Sequence, residues 1–341
     1  MVCEKRHRRA PRARKEHRAY VTFMVLLSAI FISAAYFLLT NLDEARANVT
    51  DALLQLQYAR SAAQEALPSL AKNHGPYVQV SPQCTGYEAE PIEITPPTYA
   101  LDALLSRHGD YLSVFFQNIE TGFTYTYNAD RVFFSASVPK AVYAMYLFRQ
   151  AERGIICLDS THTFTYADAN WGSGIIQRRY DFGATFTLRE LLRLNISESD
   201  NVATLILRRI FGLEGYKKFI AEMGGNPGFV GCRVMNSNLT ANEAGLFARE
   251  IFMYIQSGGI YSQEFKDHLL NNQFPFIVSC YPVASKTGWT NPTAWHDMAI
   301  VYAPSPFILV ILSAREGWTE ADYADFAEIS MAFQEFNNTW F

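Results

Sequence analysis

Hydrophobic and polar residues are unevenly spread along the chain. Residues 21–40, VTFMVLLSAIFISAAYFLLT, contain no charge. At the rise of an α-helix such a run reaches about 30 Å, the thickness of a bilayer's hydrocarbon core. Ser33-Ala34-Ala35 loosely imitates a signal-cleavage site, but the run exceeds the ~7–15 residues of a signal-peptide core. The pattern predicts an uncleaved transmembrane anchor over 21–40. Beyond it, Leu42, Val49, Leu56 and Ala63 recur every seven residues, with Ala45, Ala52, Ala59 and Ala66 at the companion positions. This heptad predicts a helical stalk over 41–70, broken at Pro68, whose alanine-rich second seam allows weak self-association. Residues 71–97 show no periodicity and are rich in Pro and Gly, as linkers are.

From Thr98 to the end the texture is globular. TYALDALLSRHG reads as a helix, and YLSVFFQNIETGFTYTYNADRVFF as two strands around a Glu-Thr-Gly turn. Helical patterns follow in KAVYAMYLFRQAERG, TLRELLRLNIS, NVATLILRRIFG and TANEAGLFAREIFMYIQSGG. PVASKTGWT, WHDMAIVYAP and FILVILSAR read as strands, and TEADYADFAEISMAFQEF as a closing helix. Strands at both ends with helices between them predict an α+β domain over 98–341. Its antiparallel sheet draws on both ends of the domain, with flanking helices and a helical subdomain.

Charge adds orientation. Residues 1–20 hold eight Lys/Arg and two Glu, a tail of +6 on a chain whose net charge is −4, leaving −10 for the rest. Basic charge confined to a tail does not describe a nucleic-acid-binding surface. Beside an apolar span it places the N-terminus in the cytoplasm and everything after residue 40 outside. Of the five cysteines, Cys3 falls in the tail; Cys84, Cys157, Cys232 and Cys280 are widely spaced, and three pairings or free thiols are all open. No metal-ligand spacing is present, and no cofactor motif. His296-Asp297 reads as a structural pair.

Three short motifs carry chemistry. Ser137-Val138-Pro139-Lys140 stands at a predicted helix start, with Pro139 suited to the first turn. The spacing puts Ser137 and Lys140 on one face, where a buried, neutral amine can act as base for a hydroxyl. Ser199-Asp200-Asn201 precedes a helix and could be a plain cap cluster; Lys286-Thr287-Gly288 lies in a strand. S-x-x-K, S-D-N and K-T-G in this order form the signature of class A β-lactamases and penicillin-binding proteins.

On these motifs, on Glu120-Thr121-Gly122, on LLRLNISESDNVATLIL and on the last strands and helix, residues 98–341 resemble that family of serine hydrolases. The resemblance does not reach residues 1–97. It implies that Ser137 is the nucleophile, Lys140 its base, and Ser199, assisted by Lys286, the proton relay to the leaving nitrogen. It implies that Asn201 bonds the substrate's side-chain amide, that Lys286 and Thr287 hold its carboxylate, and that Gly288 lets its backbone approach the strand. The oxyanion hole would be the N–H groups of Ser137 and Trp289. The implied substrates are β-lactams or the D-alanyl stem peptides of peptidoglycan, and no cofactor is required. With the anchor, this suggests the extracytoplasmic face of the cell membrane in a Gram-positive-type bacterium. The sequons at Asn48, Asn195, Asn238 and Asn337 would matter only in a eukaryotic secretory host.

One departure is plain. Class A enzymes deacylate with water activated by a loop glutamate, and no glutamate lies between Glu222 and Glu243. Glu243 reads as N3 of a capping box opened by Thr240, and Asn236 or Asn238 could position a water without acting as a strong base. The expectation is ready acylation and slow deacylation. Rival readings are a D-Ala-D-Ala carboxypeptidase or transpeptidase, and a sensor that binds wall fragments and signals through the stalk.

Overall fold

The computed structural model describes residues 96–341 except 232–236, 292, 317 and 318. The anchor, the stalk and nearly all of the linker lie outside the described residues, as do Cys84, Cys232 and Asn236. No helix among the described residues is long and apolar enough to cross a membrane.

A five-stranded antiparallel sheet is built from both ends of the domain. Strands β1 (Leu112–Asn118) and β2 (Thr124–Tyr127) form the first hairpin, and β7 (Val283–Thr290), β8 (Ala294–Val301) and β9 (Phe307–Ser313) follow late in the chain. Their order is β2-β1-β9-β8-β7, so β1 pairs directly with β9, Leu112 opposite Ser313. β8 and β9 are buried along their whole length. Successive strand side chains point to opposite faces, and the two cores divide accordingly. Met298, Ile300, Ile308, Val310 and Leu312 join the larger, helical core, whereas Ala299, Val301, Leu309 and Ile311 face the other way. There they meet helices α1 (Tyr99–Ser106) and α9 (Glu320–Trp340), packed through Leu101, Leu105, Phe326 and Phe333.

The helical part lies between β3 (Phe133–Phe134) and β7. Its centre is α2 (Pro139–Glu152), with ten of its residues buried, from Pro139 through Ala151. β4 (Thr161–Thr163) and β5 (Thr185–Thr187) form a small hairpin around the short α3 (Ile176–Arg179); α4 (Leu188–Ser197), α5 (Asn201–Phe211) and α6 (Glu214–Glu222) follow. β6 (Asn238–Leu239) returns to pair with β3, and α7 (Ala241–Gln256) and α8 (Ser262–Leu270) complete the layer. α4 opens on a full capping box, Thr187 with Glu190, and the Asp200 side chain caps α5 through the Ala203 N–H.

Two of the sequons have structural roles. Asn195 donates to the Lys140 carbonyl and accepts from Thr204, and Asn337 accepts from Asn118 and donates to the Ser305 carbonyl. Both are buried. Cys157 and Cys280 are free, exposed thiols.

Candidate active site

Ser137 lies at the helix start, two residues before the first residue of α2, and its carbonyl accepts from the Lys140 N–H at 3.2 Å. Pro139 fixes the first helical position of α2, so Ser137 falls in the tight turn between β3 and the helix. Ala136 there has φ +46°, a left-handed conformation uncommon for a residue with a side chain. Ser199 has φ +50°, which turns the chain between α4 and α5. Such strain persists only where the surroundings impose it.

The three motifs converge on Ser199. Lys140 Nζ donates to the Ser199 carbonyl at 2.5 Å and to Asn201 Oδ1 at 2.7 Å, and lies 3.3 Å from Ser199 Oγ. Lys286 Nζ donates to Ser199 Oγ at 3.0 Å and to the Thr287 carbonyl at 2.7 Å. Both lysines are fully buried. Burial, reinforced by the nearby Lys286 cation and opposed by Asp200, holds the Lys140 amine well below its ordinary value. Burial likewise brings Lys286 down to about 7, against the pull of Asp297. The two hydrogens of a neutral Lys140 go to Ser199 O and Asn201 Oδ1, its closer partners, so Ser199 Oγ accepts from Lys286 and keeps its own hydrogen for another partner.

β7 lies close against the turn that carries Ser137. A Cβ on Gly288 would stand 2.8 Å from Ser137 N and 2.9 Å from both Ser135 O and Val138 Cγ2, so only glycine fits without displacement. Thr287 Oγ1 donates to the Phe274 carbonyl at 2.6 Å and accepts from Asn272 Nδ2 at 2.8 Å. Its hydroxyl must release Phe274 before it can bind an added carboxylate. Trp289 is 44% exposed and stacks on Trp295, ring centres 5.8 Å apart. All eight motif residues, Ser137, Lys140, Ser199, Asn201, Lys286, Thr287, Gly288 and Trp289, therefore belong to one neighbourhood.

Several supporting residues carry no motif. Asn170 accepts from Asn201 Nδ2 at 3.1 Å and is followed by the exposed Trp171. Asn272 bonds both Thr287 and Ser285. Asp200 does more than cap: its other oxygen accepts from the N–H groups of Ile175 and Ile176 at 2.6 and 2.8 Å. His296 and Asp297 are neighbours on β8 with separate partners. Asp297 accepts from the N–H groups of Phe276 and Ile277, while His296 Nε2 meets the Phe134 carbonyl at 2.8 Å. Burial drives the His296 ring down to about 4, so it is neutral.

The capping box at Glu243 is corrected. Its N–H does donate to Thr240 Oγ1 at 3.1 Å, but its carboxyl turns inward and accepts from the Asn226 N–H at 2.7 Å. The second oxygen, Oε2, is buried without a partner among the described residues, in a small cavity shared with Pro139, Tyr216 and Asn238. Burial raises this carboxyl from 4.5 to about 7, the Asn226 N–H opposing. A raised carboxyl contributes stability that is complete below its unfolded value and is lost as pH rises through about 7. Glu243→Gln has no charge to desolvate. Its melting temperature should therefore fall less than wild type's between about pH 5 and about pH 8; parallel curves would refute the assignment.

A sequence profile of the β-lactamase enzyme family matches residues 96–335, and the chain belongs to that family. Among functionally curated proteins no sequence matches it. Solved structures share the fold. A β-lactamase from Sphaerobacter thermophilus is 20% identical, with TM-score 0.65 over 72% of this chain and 98% of its own. The TLA-3 extended-spectrum β-lactamase is 16% identical, with TM-score 0.62 over 70% and 99%. A variant of PBP-A, solved as an acyl-enzyme complex with penicillin G, is 17% identical, with TM-score 0.60 over 71% and 96%.

Proposed function

We propose that this member of a serine-hydrolase family works through an acyl-Ser137 intermediate on β-lactams or related D-alanyl peptides, and releases it slowly. The observation that carries the reading is the convergence of two buried amines on Ser199 Oγ, with the bare backbone of Gly288 set against Ser137 N. Ser137 Oγ attacks the substrate carbonyl and its proton passes to neutral Lys140. The negative charge on the carbonyl oxygen falls to the N–H groups of Ser137 and Trp289. As the C–N bond breaks, Ser199 donates its free hydrogen to the nitrogen and is reprotonated from the lysines. Lys286 and Thr287 hold the substrate's carboxylate, and Asn201, steadied by Asn170, its side-chain amide.

Deacylation lacks the family's loop glutamate. Glu243 is buried with one carboxyl oxygen held by the Asn226 N–H, and Asn238 is an exposed residue of β6. A PBP-A variant of this fold has been solved as an acyl-enzyme complex with penicillin G, which supports acylation as the first step. β7 is the outermost strand of its sheet, so an extended peptide can align along it, which favours a wall-peptide substrate as the second reading. The uncharged run 21–40 would hold the domain at the outer face of the membrane, and the heptad could pair two stalks.

A pulse-chase with fluorescent penicillin on the full-length chain tests this, with Ser137→Ala as control. The expected result is label on wild type alone that persists for minutes or longer. Absence of both label and penicillin consumption would overturn the acyl-serine reading. Label lost within seconds as penicillin is consumed would overturn slow deacylation.

A further inference from the structure

We infer that His296 is a positioning residue for the nucleophile: one imidazole fastens the Ser137 turn to the central sheet and thereby sets where the Ser137 N–H lies against β7. The inference rests on the acyl-serine reading for its kinetic consequence, but not for its structural one. The turn needs a restraint. It leaves β3 at Phe134, which pairs with Asn238 of β6, and runs through Ser135 and the left-handed Ala136 to Ser137 without helix or strand. Its other bonds are local or go to one neighbouring segment: Val138 N to Ser135 O, Lys140 N to Ser137 O, Ser135 N to Ser237 O, and Ser237 N to the Ser135 side-chain Oγ. The bond at its entrance is different. His296 Nε2 lies 2.8 Å from Phe134 O, and the other ring nitrogen, Nδ1, accepts from Ser313 N at 3.2 Å.

The two partners fix the tautomer. A carbonyl can only accept and a peptide N–H can only donate, so Nε2 carries the hydrogen and Nδ1 the lone pair. The ring is fully buried on β8, braced edge-on by Phe133 with centres 5.6 Å apart. It bonds β9 at one nitrogen and the nucleophile turn at the other. In the β7–β8 register His296 stands opposite Gly288, whose missing side chain is what admits Ser137 N. The tether, at Phe134 O, and the gap, at Ser135 O and Ser137 N, therefore act on one short segment from adjacent strands. The residue touches no reacting atom; it acts through Phe134 and the turn.

The two amide replacements of histidine separate its two bonds. Glutamine places an N–H near the position of Nε2 and keeps the tether, whereas asparagine reaches only the position of Nδ1 and leaves Phe134 O unpaired. The test uses the full-length chain, with fluorescent penicillin labelling to time acylation. Selective 15N-serine spectra follow the Ser137 amide, identified as the signal that Ser137→Ala removes. His296→Asn should slow the limiting acylation rate by about 10- to 100-fold at little changed half-saturating penicillin, while His296→Gln stays within about threefold of wild type. The Ser137 amide signal should move in His296→Asn and hold in His296→Gln. An unmoved Ser137 amide in His296→Asn, or equal slowing in both variants, would overturn the inference. So would a mere drop in melting temperature with the amide in place. Should His296→Asn fail to fold, a displaced Ser137 amide in His296→Gln overturns it and an undisplaced one supports it. If wild type takes no penicillin label, the acyl-serine reading fails, and the amide signals alone still decide the positional claim.

Discussion

Lys140→Met slows the acylation of Ser137 by penicillin by about 10²–10⁴-fold, the range general-base catalysis supplies. Methionine fills similar space without an amine, so the comparison isolates the base. The loss of two close bonds, to Ser199 O and Asn201 Oδ1, is offset in part because a buried amine no longer has to be desolvated. The pH profile follows from the same burial. Lys140 must be neutral to accept the Ser137 proton, and its amine is held well below the ordinary 10.5. Acylation by wild type should therefore fall as pH drops through the lowered value, and be fully developed well below pH 10.5. Stopped-flow labelling across pH reads both effects. A variant that keeps acylation within tenfold of wild type would exclude Lys140 as the base.

Gly288→Ala is the second large effect. Two of the three atoms its Cβ would meet, Ser137 N and Ser135 O, belong to backbone and cannot swing aside. Either β7 or the nucleophile turn must shift. Overpacking of this kind costs about 1–3 kcal/mol, and a displacement of about 1 Å at reacting atoms can cost about 10²-fold in rate. The expected outcome is a lowered melting temperature together with acylation reduced by about two orders of magnitude. Unchanged acylation would show that the close approach of β7 does not place Ser137.

Much of this architecture was legible in residue order. The apolar run of β9 and the largely apolar β1 and β8 identify the sheet, because strands buried on both faces are mostly hydrophobic, Ser113, His296 and Asp297 being buried exceptions. The three motifs were legible because each is contiguous. What could not be read is whatever depends on irregular backbone. Asn170 and Asn272 meet Asn201 and Thr287 from loops without period, 31 and 15 residues away. β3 and β6 pair through only two residues each, too few for any alternation to show. Glu243 misled for a physical reason: the local rule for a helix start was half right, and burial of the carboxyl beside Asn226 decided the other half. The bond from His296 to Phe134 spans 162 residues and has no local signature.

The place of β7 at the margin of its sheet has a second consequence. Among the described residues no strand pairs with its outer side. An open strand margin invites pairing with any extended chain, and folded proteins usually blunt such margins with proline, bulges or very short strands. None of these devices is available where a substrate backbone is to be aligned: β7 runs eight residues and carries no proline. Besides the Ser137 turn packed on Gly288, the protection present is an ionisable side chain turned inward, and Lys286 is one. The amine proposed for catalysis thus also makes β7 a poor template for stacking copies of the protein, so that removing it would trade activity for a greater tendency to aggregate.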